Sequence, residues 1–248
     1  MAQPEGFAWP GGARAAVSFS FDDARPSQLD AGLPVLDRHG IRATWYVSLD
    51  AMLARAPEWK AAAARGHEIG NHTLTHPCSG NFPWARANAL EDYTLARMEA
   101  ELDGATARIR ESLGVTPRTF AYPCGQTWVG REASFASYIP LVRGKFLAGR
   151  GFLWETHNDP VRCDLGHLAG FFSDAWPADR YVQRIEAAIE HGGWAVFAGH
   201  DVGDDGYQTT RTAALDALGG WLAANKARVW VATVAEAARV VRDARGGA

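Results

Sequence analysis

Short apolar runs alternate with longer amphipathic segments along most of the chain. The run 17–21 (VSFSF) is apolar enough for a buried strand, and 27–39 has the apolar spacing of a helix that Gly40 ends. The same pattern predicts further strands at 43–49, 67–70, 119–122, 195–198 and 229–232, with short ones near 141–142 and at 168–172. It predicts further helices at 57–65, 89–113, 178–191 and 212–225, and a last one begun by a capping box from Thr233 to Glu236.

This alternation of strands and helices favours an α/β fold in which parallel strands are covered by helices. Polar segments follow the strands predicted at 17–21, 67–70, 119–122 and 195–198. In barrels and open α/β sheets, functional sites lie beyond the carboxyl ends of the strands. Four separate segments at that end of the sheet indicate a functional site more strongly than any single motif.

Length and composition favour one domain. The chain has 248 residues, 47% of them hydrophobic, which is enough for one sizeable core, and 14–248 contains no linker. Residues 1–13 are rich in Gly and Pro and are expected to form a flexible segment. The net charge of −3 and the lack of a Lys/Arg run argue against nucleic acid as a partner. The sequence indicates no particular oligomeric state.

The apolar runs are too short for a membrane span, which needs about eighteen consecutive apolar residues. The N-terminal residues lack the basic start and apolar run of a signal peptide, so the sequence as it stands predicts a cytoplasmic protein. A protein from which an export signal had been removed would have the same sequence and would be extracytoplasmic.

Two histidines and two aspartates suggest a metal site. His72 and His76 are four residues apart, so both imidazoles can face one side of a helical turn and bind one ion. In a chain with eight histidines, such a pair also arises by chance in a loop. Asp22 and Asp23 follow an apolar run, where two carboxylates are costly unless a cation compensates them, although Asp is also common in solvated turns. One Asp can join the histidines, which leaves the other for proton transfer.

Other candidates for chemistry are one further histidine and the three cysteines. His200 follows the strand at 195–198 and can act as an acid near neutral pH, although alone it is typical of a surface loop. Cys78, Cys124 and Cys163 include no C-x-x-C pair and permit at most one disulfide, with the pairing open. For Cys124 we favour a small buried packing residue over a reactive thiol.

Five segments, in order, resemble the motifs of the polysaccharide deacetylases that share the NodB homology domain (carbohydrate esterase family 4). These segments are Ser20–Ala24 (SFDDA), His72–His76 (HTLTH), Phe120–Gly125 (FAYPCG), Asp174–Trp176 (DAW) and Phe197–His200 (FAGH). The histidine segment together with the acidic pair is specific, whereas the DAW segment is weak. The resemblance implies a distorted (β/α) barrel of about seven parallel strands, with a single catalytic domain over 14–248.

The resemblance also implies a function and a cofactor. Members of this family mostly remove N-acetyl groups from N-acetylglucosamine-type carbohydrates, so an acetylated carbohydrate is the expected substrate. Asp23, His72 and His76 would hold one divalent metal ion. Zinc is the expected ion, and cobalt, nickel or manganese would suit the same ligands.

The resemblance implies catalytic roles as well. Asp22 would be the general base and His200 the general acid, with Asp174 orienting His200. The backbone N–H of Cys124 would help to hold the oxyanion.

One residue of the third motif departs from the family pattern, and the chain is also rich in Trp. Ala121 stands where many members have an Arg that pairs with the base, and Arg150 could take that role from another strand. The chain has ten Trp, and sugars stack on exposed aromatic rings. Tyr122, Trp128 and Trp176 are the candidates for such a contact, with packing beneath loops as the alternative.

Other functions stay open. An O-acetyl carbohydrate esterase would use the same residues on an ester. A C–N hydrolase acting on a small amide, imide or formamide would use the same scaffold, and metal content would separate it from metal-free relatives. A sugar-binding module without activity is the third alternative, although it would need neither Asp22 nor His200.

Overall fold

The structure is a computed structural model that describes residues 7–246. Its strands are β1 (Ala15–Asp22), β2 (Thr44–Val47), β3 (Glu68–Asn71), β4 (Thr119–Ala121), β5 (Trp128–Val129), β6 (Ala136–Ser137), β7 (Ala148–Arg150), β8 (Phe171–Phe172), β9 (Trp194–Gly199), β10 (Asp201–Gly203), β11 (Thr209–Arg211) and β12 (Val229–Val231). Its α-helices are α1 (Leu33–Arg38), α2 (Leu49–Ala54), α3 (Ala56–Ala64), α4 (Leu95–Leu113), α5 (Ile139–Lys145), α6 (Ala178–His191), α7 (Thr212–Ala224) and α8 (Val234–Ala244).

The main sheet is parallel throughout and curls into a distorted barrel. Its spatial order is β7-β4-β3-β2-β1-β9-β8, with β12 beside the first half of β1. The two edges meet at one parallel bridge, where Arg150 at the end of β7 pairs with Leu168 shortly before β8. This arrangement confirms the expected barrel of about seven parallel strands.

Strand β1 lies at the centre of this sheet. All eight of its residues are buried, because β9 pairs with one side and β2 and β12 with the other. Phe21 stacks on Trp45 of β2 with ring centroids 4.7 Å apart, and Phe19 stacks on Phe197 of β9 at 5.6 Å. Each such buried ring contributes about 1.5–3 kcal/mol to folding. The acidic pair at the end of β1 therefore stands on a rigid support.

Helix α4 is shorter than the helix predicted at 89–113. It begins at Leu95 because Thr94 caps it, accepting a hydrogen bond from the Arg97 backbone N–H at 3.1 Å. Residues before the cap form a 3-10 turn at Leu90–Asp92 instead. The helix ends at Gly114, whose φ of 73° lies in the left-handed region that favours glycine.

Three other predictions need correction. The strand predicted near 141–142 is wrong, because these residues lie in α5, which begins with Pro140 in its first turn. Of the strand predicted at 168–172, only Phe171–Phe172 form β8. The helix predicted at 27–39 starts as a π-helical turn at Gln28–Gly32 before α1. The capping box is confirmed, since the side chains of Thr233 and Glu236 accept from each other's backbone N–H.

Part of the segment predicted to be flexible is packed. Trp9 is buried, and its indole N–H donates to the carbonyl oxygen of Gly192 at 3.0 Å. Residues 1–6 of that segment lie outside the described residues. Among the helices of 7–246, none combines the length and apolarity that crossing a membrane requires.

Candidate active site

The polar segments that follow the strands meet at one end of the barrel. Asp22 ends β1, His72 follows β3, Cys124 lies in the turn after β4, and His200 follows β9. Because these strands are parallel, their carboxyl ends lie together, around a cavity of about 570 Å³. The cavity is lined by Asp22, Asp23, Arg25, His72, His76, Phe82, Trp84, Tyr122, Cys124, Phe152, Leu153, His200 and Gln208.

Asp23, His72 and His76 converge on one point of this cavity. Their ligand atoms all lie within 4.8 Å of one another. Asp23 Oδ1 is 3.7 Å from His72 Nε2 and 3.6 Å from His76 Nε2. His72 Nδ1 lies 2.9 Å from the carbonyl oxygen of Ala121, which can only accept, so Nδ1 carries the proton and Nε2 keeps its lone pair. The three side chains therefore fit a divalent cation with two imidazole ligands and one carboxylate.

The charge states of these side chains also suit a cation. Burial raises the pKa of Asp23, but His72, His76, His200 and Arg25 outweigh burial and lower this pKa to about 2. Burial, helped by the neighbouring His72, lowers the pKa of His76 to about 4. Asp23 is thus ionised and His76 neutral at neutral pH, which are the forms that bind metal ions.

A buried carboxylate fixes the loop between the two histidines. Glu101 on α4 accepts hydrogen bonds from the backbone N–H groups of Leu74 and Thr75, each at 2.9 Å, and from the Thr75 hydroxyl at 2.8 Å. The loop needs this support because His76 has a φ of 51°, in the left-handed region that costs a non-glycine residue energy. Glu101 therefore positions the second histidine from a helix 25 residues further along the chain.

Asp22 is paired with a buried cation. Its Oδ1 accepts a hydrogen bond from Nη2 of Arg150, which is fully buried. Burial raises the pKa of Asp22, but Arg150, His72 and His200 outweigh burial, so this pKa lies below its ordinary value. Asp22 is consequently ionised at neutral pH despite its burial. The structure brings Arg150 to Asp22 from β7, on the far side of the barrel from β1.

His200 forms a pair with Asp174. His200 Nδ1 lies 2.6 Å from Asp174 Oδ2, while Asp174 Oδ1 accepts from the His200 backbone N–H at 3.0 Å and from the Thr210 hydroxyl at 3.1 Å. Burial alone would lower the pKa of His200. The hydrogen bond to Asp174 and the negative charges of Asp174, Asp22 and Asp23 outweigh burial, so this pKa lies above its ordinary value. The Asp174 carboxylate fixes Nδ1 as a donor and leaves Nε2 for chemistry in the cavity.

Cys124 is joined to Cys78 by a disulfide, and Cys163 is the free cysteine. The interpretation of Cys124 as a small packing residue is therefore wrong, and the limit of one bridge agrees with the structure. The bridge links the loop that follows His76 to the turn that follows β4. Cys124 has a φ of 54°, so the disulfide helps to hold a backbone conformation that is rare for a residue with a side chain.

Two of the three aromatic residues predicted to touch sugar lie away from the cavity. Trp128 stacks on Phe135 at 5.6 Å, and the buried Trp176 packs on Phe197 at 6.2 Å. Neighbouring apolar side chains thus hold both rings outside the cavity lining. Tyr122 does line the cavity, but its hydroxyl donates to the carbonyl oxygen of Gly166 at 2.5 Å.

The exposed aromatic surface of the cavity is formed instead by Phe82 and Trp84. Their rings stack with centroids 5.4 Å apart, and the Trp84 ring lies 6.0 Å from that of His76. Trp84 is 62% exposed, which is unusual for a large apolar side chain. No local pattern in the sequence distinguishes Trp84 from the other Trp residues that lie outside the predicted strands and helices.

Arg25 was also absent from the predicted site. Its Nε and Nη2 donate to Asp23 Oδ2 at 3.2 and 3.0 Å, and its Nη1 donates to Asp201 Oδ2 at 2.6 Å. These bonds leave Oδ1 of Asp23 as the oxygen that faces the two histidines. The sequence signal for this contact is an Arg two residues after the acidic pair, close enough along the chain to orient the Asp23 carboxylate.

The sequence matches the family model described as polysaccharide deacetylase over residues 7–133, about half of the chain. This stretch includes the acidic pair, the histidine pair and the turn that carries Cys124. The chain therefore belongs to the polysaccharide deacetylase family, which confirms the resemblance to the NodB homology domain.

Curated relatives match only parts of the chain. A gellan lyase from Bacillus sp. is 29% identical over 136 residues, which cover 55% of this chain and 5% of the lyase. Chitin deacetylase 1 from Cryptococcus neoformans is 30% identical over 106 residues, which cover 43% of this chain and 20% of that enzyme. The matched stretches thus span well under a third of these relatives.

Solved structures share the fold over nearly the whole chain. A Mycobacterium smegmatis structure assigned to the polysaccharide deacetylases has a TM-score of 0.71 at 17% identity, covering 98% of this chain and 95% of that one. A family 4 acetyl xylan esterase from Clostridium thermocellum, solved with a cobalt ion, has a TM-score of 0.56 at 21% identity, covering 93% and 92%. At these identities the likeness shows the fold alone.

Proposed function

We propose that this protein hydrolyses the N-acetyl groups of an N-acetylglucosamine-type carbohydrate, with one divalent metal ion as cofactor. The observation that carries the proposal is the geometry of one cavity. Asp23, His72 and His76 converge there on one point, beside an ionised Asp22 and a His200 whose pKa is raised. Membership of the polysaccharide deacetylase family supports the choice of substrate.

Zinc is the ion that this site suits best. Two neutral imidazoles and one carboxylate make a three-ligand set of the kind used by hydrolytic zinc sites. Cobalt, nickel and manganese accept similar ligands. When bound, such an ion supplies Lewis-acid chemistry, polarising a carbonyl and lowering the pKa of water.

Asp22 acts as the general base. Its carboxylate is ionised at neutral pH, and Arg150 occupies Oδ1, which leaves Oδ2 to accept a proton from an attacking water. Arg150 makes Asp22 a weaker base but keeps its carboxylate ionised. The pair also holds the carboxylate in one orientation, because the guanidinium is fully buried.

His200 acts as the general acid for the departing amine. An amine leaves a tetrahedral carbon readily only after protonation, so the reaction needs a donor at that nitrogen. Asp174 stabilises the imidazolium through Nδ1 and thereby leaves the Nε2 proton for transfer. The backbone N–H of Cys124, in the turn that lines the cavity, stabilises the oxyanion.

The rim of the cavity supports a sugar substrate. Trp84 and Phe82 present a stacked aromatic surface next to His76, and carbohydrate rings bind such faces through their C–H groups. Chitin deacetylase 1, among the relatives, is named for a polymer of N-acetylated sugars. On this proposal the sugar ring binds against Trp84, and its acetamide lies beside Asp23, His72 and His76.

An O-acetyl carbohydrate esterase is the second candidate. The acetyl xylan esterase with the same fold supports it. The pair of His200 and Asp174 favours the amide, because Asp174 keeps His200 protonated, and an amine must be protonated to leave whereas an alkoxide depends on this less. Hydrolysis of a small amide, imide or formamide would leave the aromatic rim without a role.

Acetate release tests the proposal directly. Purified protein, its metal content measured by elemental analysis, is given N-acetylglucosamine oligomers and acetylated xylan, before and after chelation. We expect release from the oligomers, loss on chelation and recovery on adding zinc. The Asp22→Asn variant should keep the metal and lose at least 99% of the activity, about the hundredfold that a general base contributes.

The matched control is Asp50→Asn, which changes an exposed carboxylate on α2. It should retain both metal and activity. Full activity in Asp22→Asn would refute the role of the base. Activity that survives complete removal of the metal would refute the metal-dependent reaction, and faster release from xylan would favour the esterase.

A further inference from the structure

The disulfide lies against the proposed metal site. Cys78 is two residues after His76, and Cys124 reaches it from the turn after β4. Cys78 Sγ is 3.8 Å from His76 Nδ1, whereas His76 Nε2 is 3.6 Å from Asp23 Oδ1. His76 therefore stands between two groups of ligands, with a different ring nitrogen toward each.

Both groups of ligand atoms are compact. Those of Asp23, His72 and His76 lie within 4.8 Å of one another, and so do those of His76, Cys78 and Cys124, whose two sulfurs are bonded to each other and can separate into two ligands only on reduction. Two thiolates and one imidazole form a set that zinc binds well, and soft sulfur ligands strengthen its hold on zinc. While the disulfide is intact, its two sulfurs have no thiolate to offer.

The shared histidine makes the two groups alternatives. A neutral imidazole has one protonated nitrogen and one lone pair, so it binds one metal ion at a time. An ion bound to Nε2 has Asp23 and His72 as its other ligands, and an ion bound to Nδ1 has the two cysteines. When the cysteine group binds an ion through His76, only Asp23 and His72 remain as protein ligands at the first site.

We propose that reduction of the Cys78–Cys124 disulfide creates a second, thiolate-rich metal site with His76, which draws a zinc-type ion away from Asp23 and His72. A dithiol donates two electrons and two protons to the disulfide and becomes a disulfide itself. The two new thiols lose their protons when the ion binds. That this relocation stops hydrolysis rests on the function proposed above.

Cobalt is the probe that reports this change of ligands. Oxidised protein and protein reduced with a dithiol, freed of the reductant under anaerobic conditions, are each loaded with one equivalent of Co²⁺. We expect a thiolate-to-cobalt charge-transfer band in the near ultraviolet for the reduced protein alone. Reoxidation should abolish the band, and the zinc-loaded reduced protein should lose most of its acetate release.

Single Cys→Ser variants locate the sulfur ligands. In reduced protein, Cys163→Ser should keep the band, because Cys163 lies elsewhere, near Arg245. Cys78→Ser and Cys124→Ser should each lose at least half of its intensity. Far-ultraviolet circular dichroism checks that each variant is folded.

Alkylation gives a second readout that does not depend on the variants. In reduced wild-type protein, zinc should slow iodoacetamide modification of Cys78 and Cys124 and leave Cys163 unaffected, as measured by peptide mass spectrometry. Reduced protein without the band, or with equal alkylation rates in the presence and absence of zinc, would overturn the proposal. Both measurements are independent of acetate release, so they separate this proposal from the proposed function.

Discussion

Replacing Asp174 with Asn tests how the structure prepares His200 as an acid. The substitution keeps the size of the side chain and removes its charge. Asp174 uses Oδ2 for His200 Nδ1 and Oδ1 for both the His200 backbone N–H and the Thr210 hydroxyl. An Asn has one oxygen, so it cannot accept from both positions. The imidazolium therefore loses its charged partner, and the pKa of His200 should fall.

The structure allows the size of that fall to be worked out. A hydrogen bond to a charged group contributes about 1.5–3 kcal/mol, and one pKa unit corresponds to about 1.4 kcal/mol. Because Asp174 and His200 are both buried, solvent screens this interaction little. We expect the pKa of His200 to drop by about one to two units.

The direction of the change in pH dependence follows from the protonation state in which His200 is active. A general acid works while protonated, so activity is lost as pH rises through the pKa of His200. That pKa is raised in the folded protein, which carries activity to higher pH. In Asp174→Asn, the fall of kcat/KM on the alkaline side of the pH profile (its alkaline limb) should therefore occur at lower pH.

The assay is acetate release from N-acetylglucosamine oligomers, followed as kcat/KM from about pH 5 to about pH 10, because kcat/KM reports the free enzyme. Asp50→Asn serves as the control and should leave the limb in place. An alkaline limb that does not move in Asp174→Asn would show that His200 is not the acid.

Two further changes test the base and the sugar contact. Arg150→Met should leave Asp22 buried without its cation, destabilise the protein by about 3–5 kcal/mol in urea unfolding and move the acidic limb of kcat/KM to higher pH; an unchanged acidic limb would contradict the pairing. Trp84→Ala should raise KM for the oligomers about two- to tenfold with kcat nearly unchanged, since an aromatic contact contributes about 0.5–1.5 kcal/mol. Equal KM values would remove Trp84 from the sugar site.

The convergence of Asp23, His72 and His76 is the part of the site that the sequence predicts best. Asp23 directly follows β1 and His72 follows β3, so the parallel strands bring them to one end of the barrel. The spacing of His72 and His76 suggested a helical turn, but they lie in a loop in which Thr73 and His76 have positive φ. Arg150 is harder to find because it is 128 residues from Asp22, although the missing motif Arg at Ala121 pointed to a substitute.

The rest depends on contacts that no local pattern encodes. The bridge between Cys78 and Cys124 spans 46 residues, and three cysteines permit several pairings. Trp84 and Trp128 both lie outside the strands and helices predicted from the sequence, and only packing decides that one faces the cavity and the other stacks on Phe135. Similarly, two apolar residues near 141 fit a strand or a helix equally well, since the stretch is too short for a period to show.

Arg150 does more than pair with a carboxylate, because its backbone also forms the bridge to Leu168 that joins the two edges of the barrel. A chain with β1 to β4 in place but the ring still open would already hold His72 near Asp23 while Asp22 lacked its cation. Under the function proposed above, such a species would bind an ion without hydrolysing substrate, so metal content and turnover would report different stages of folding.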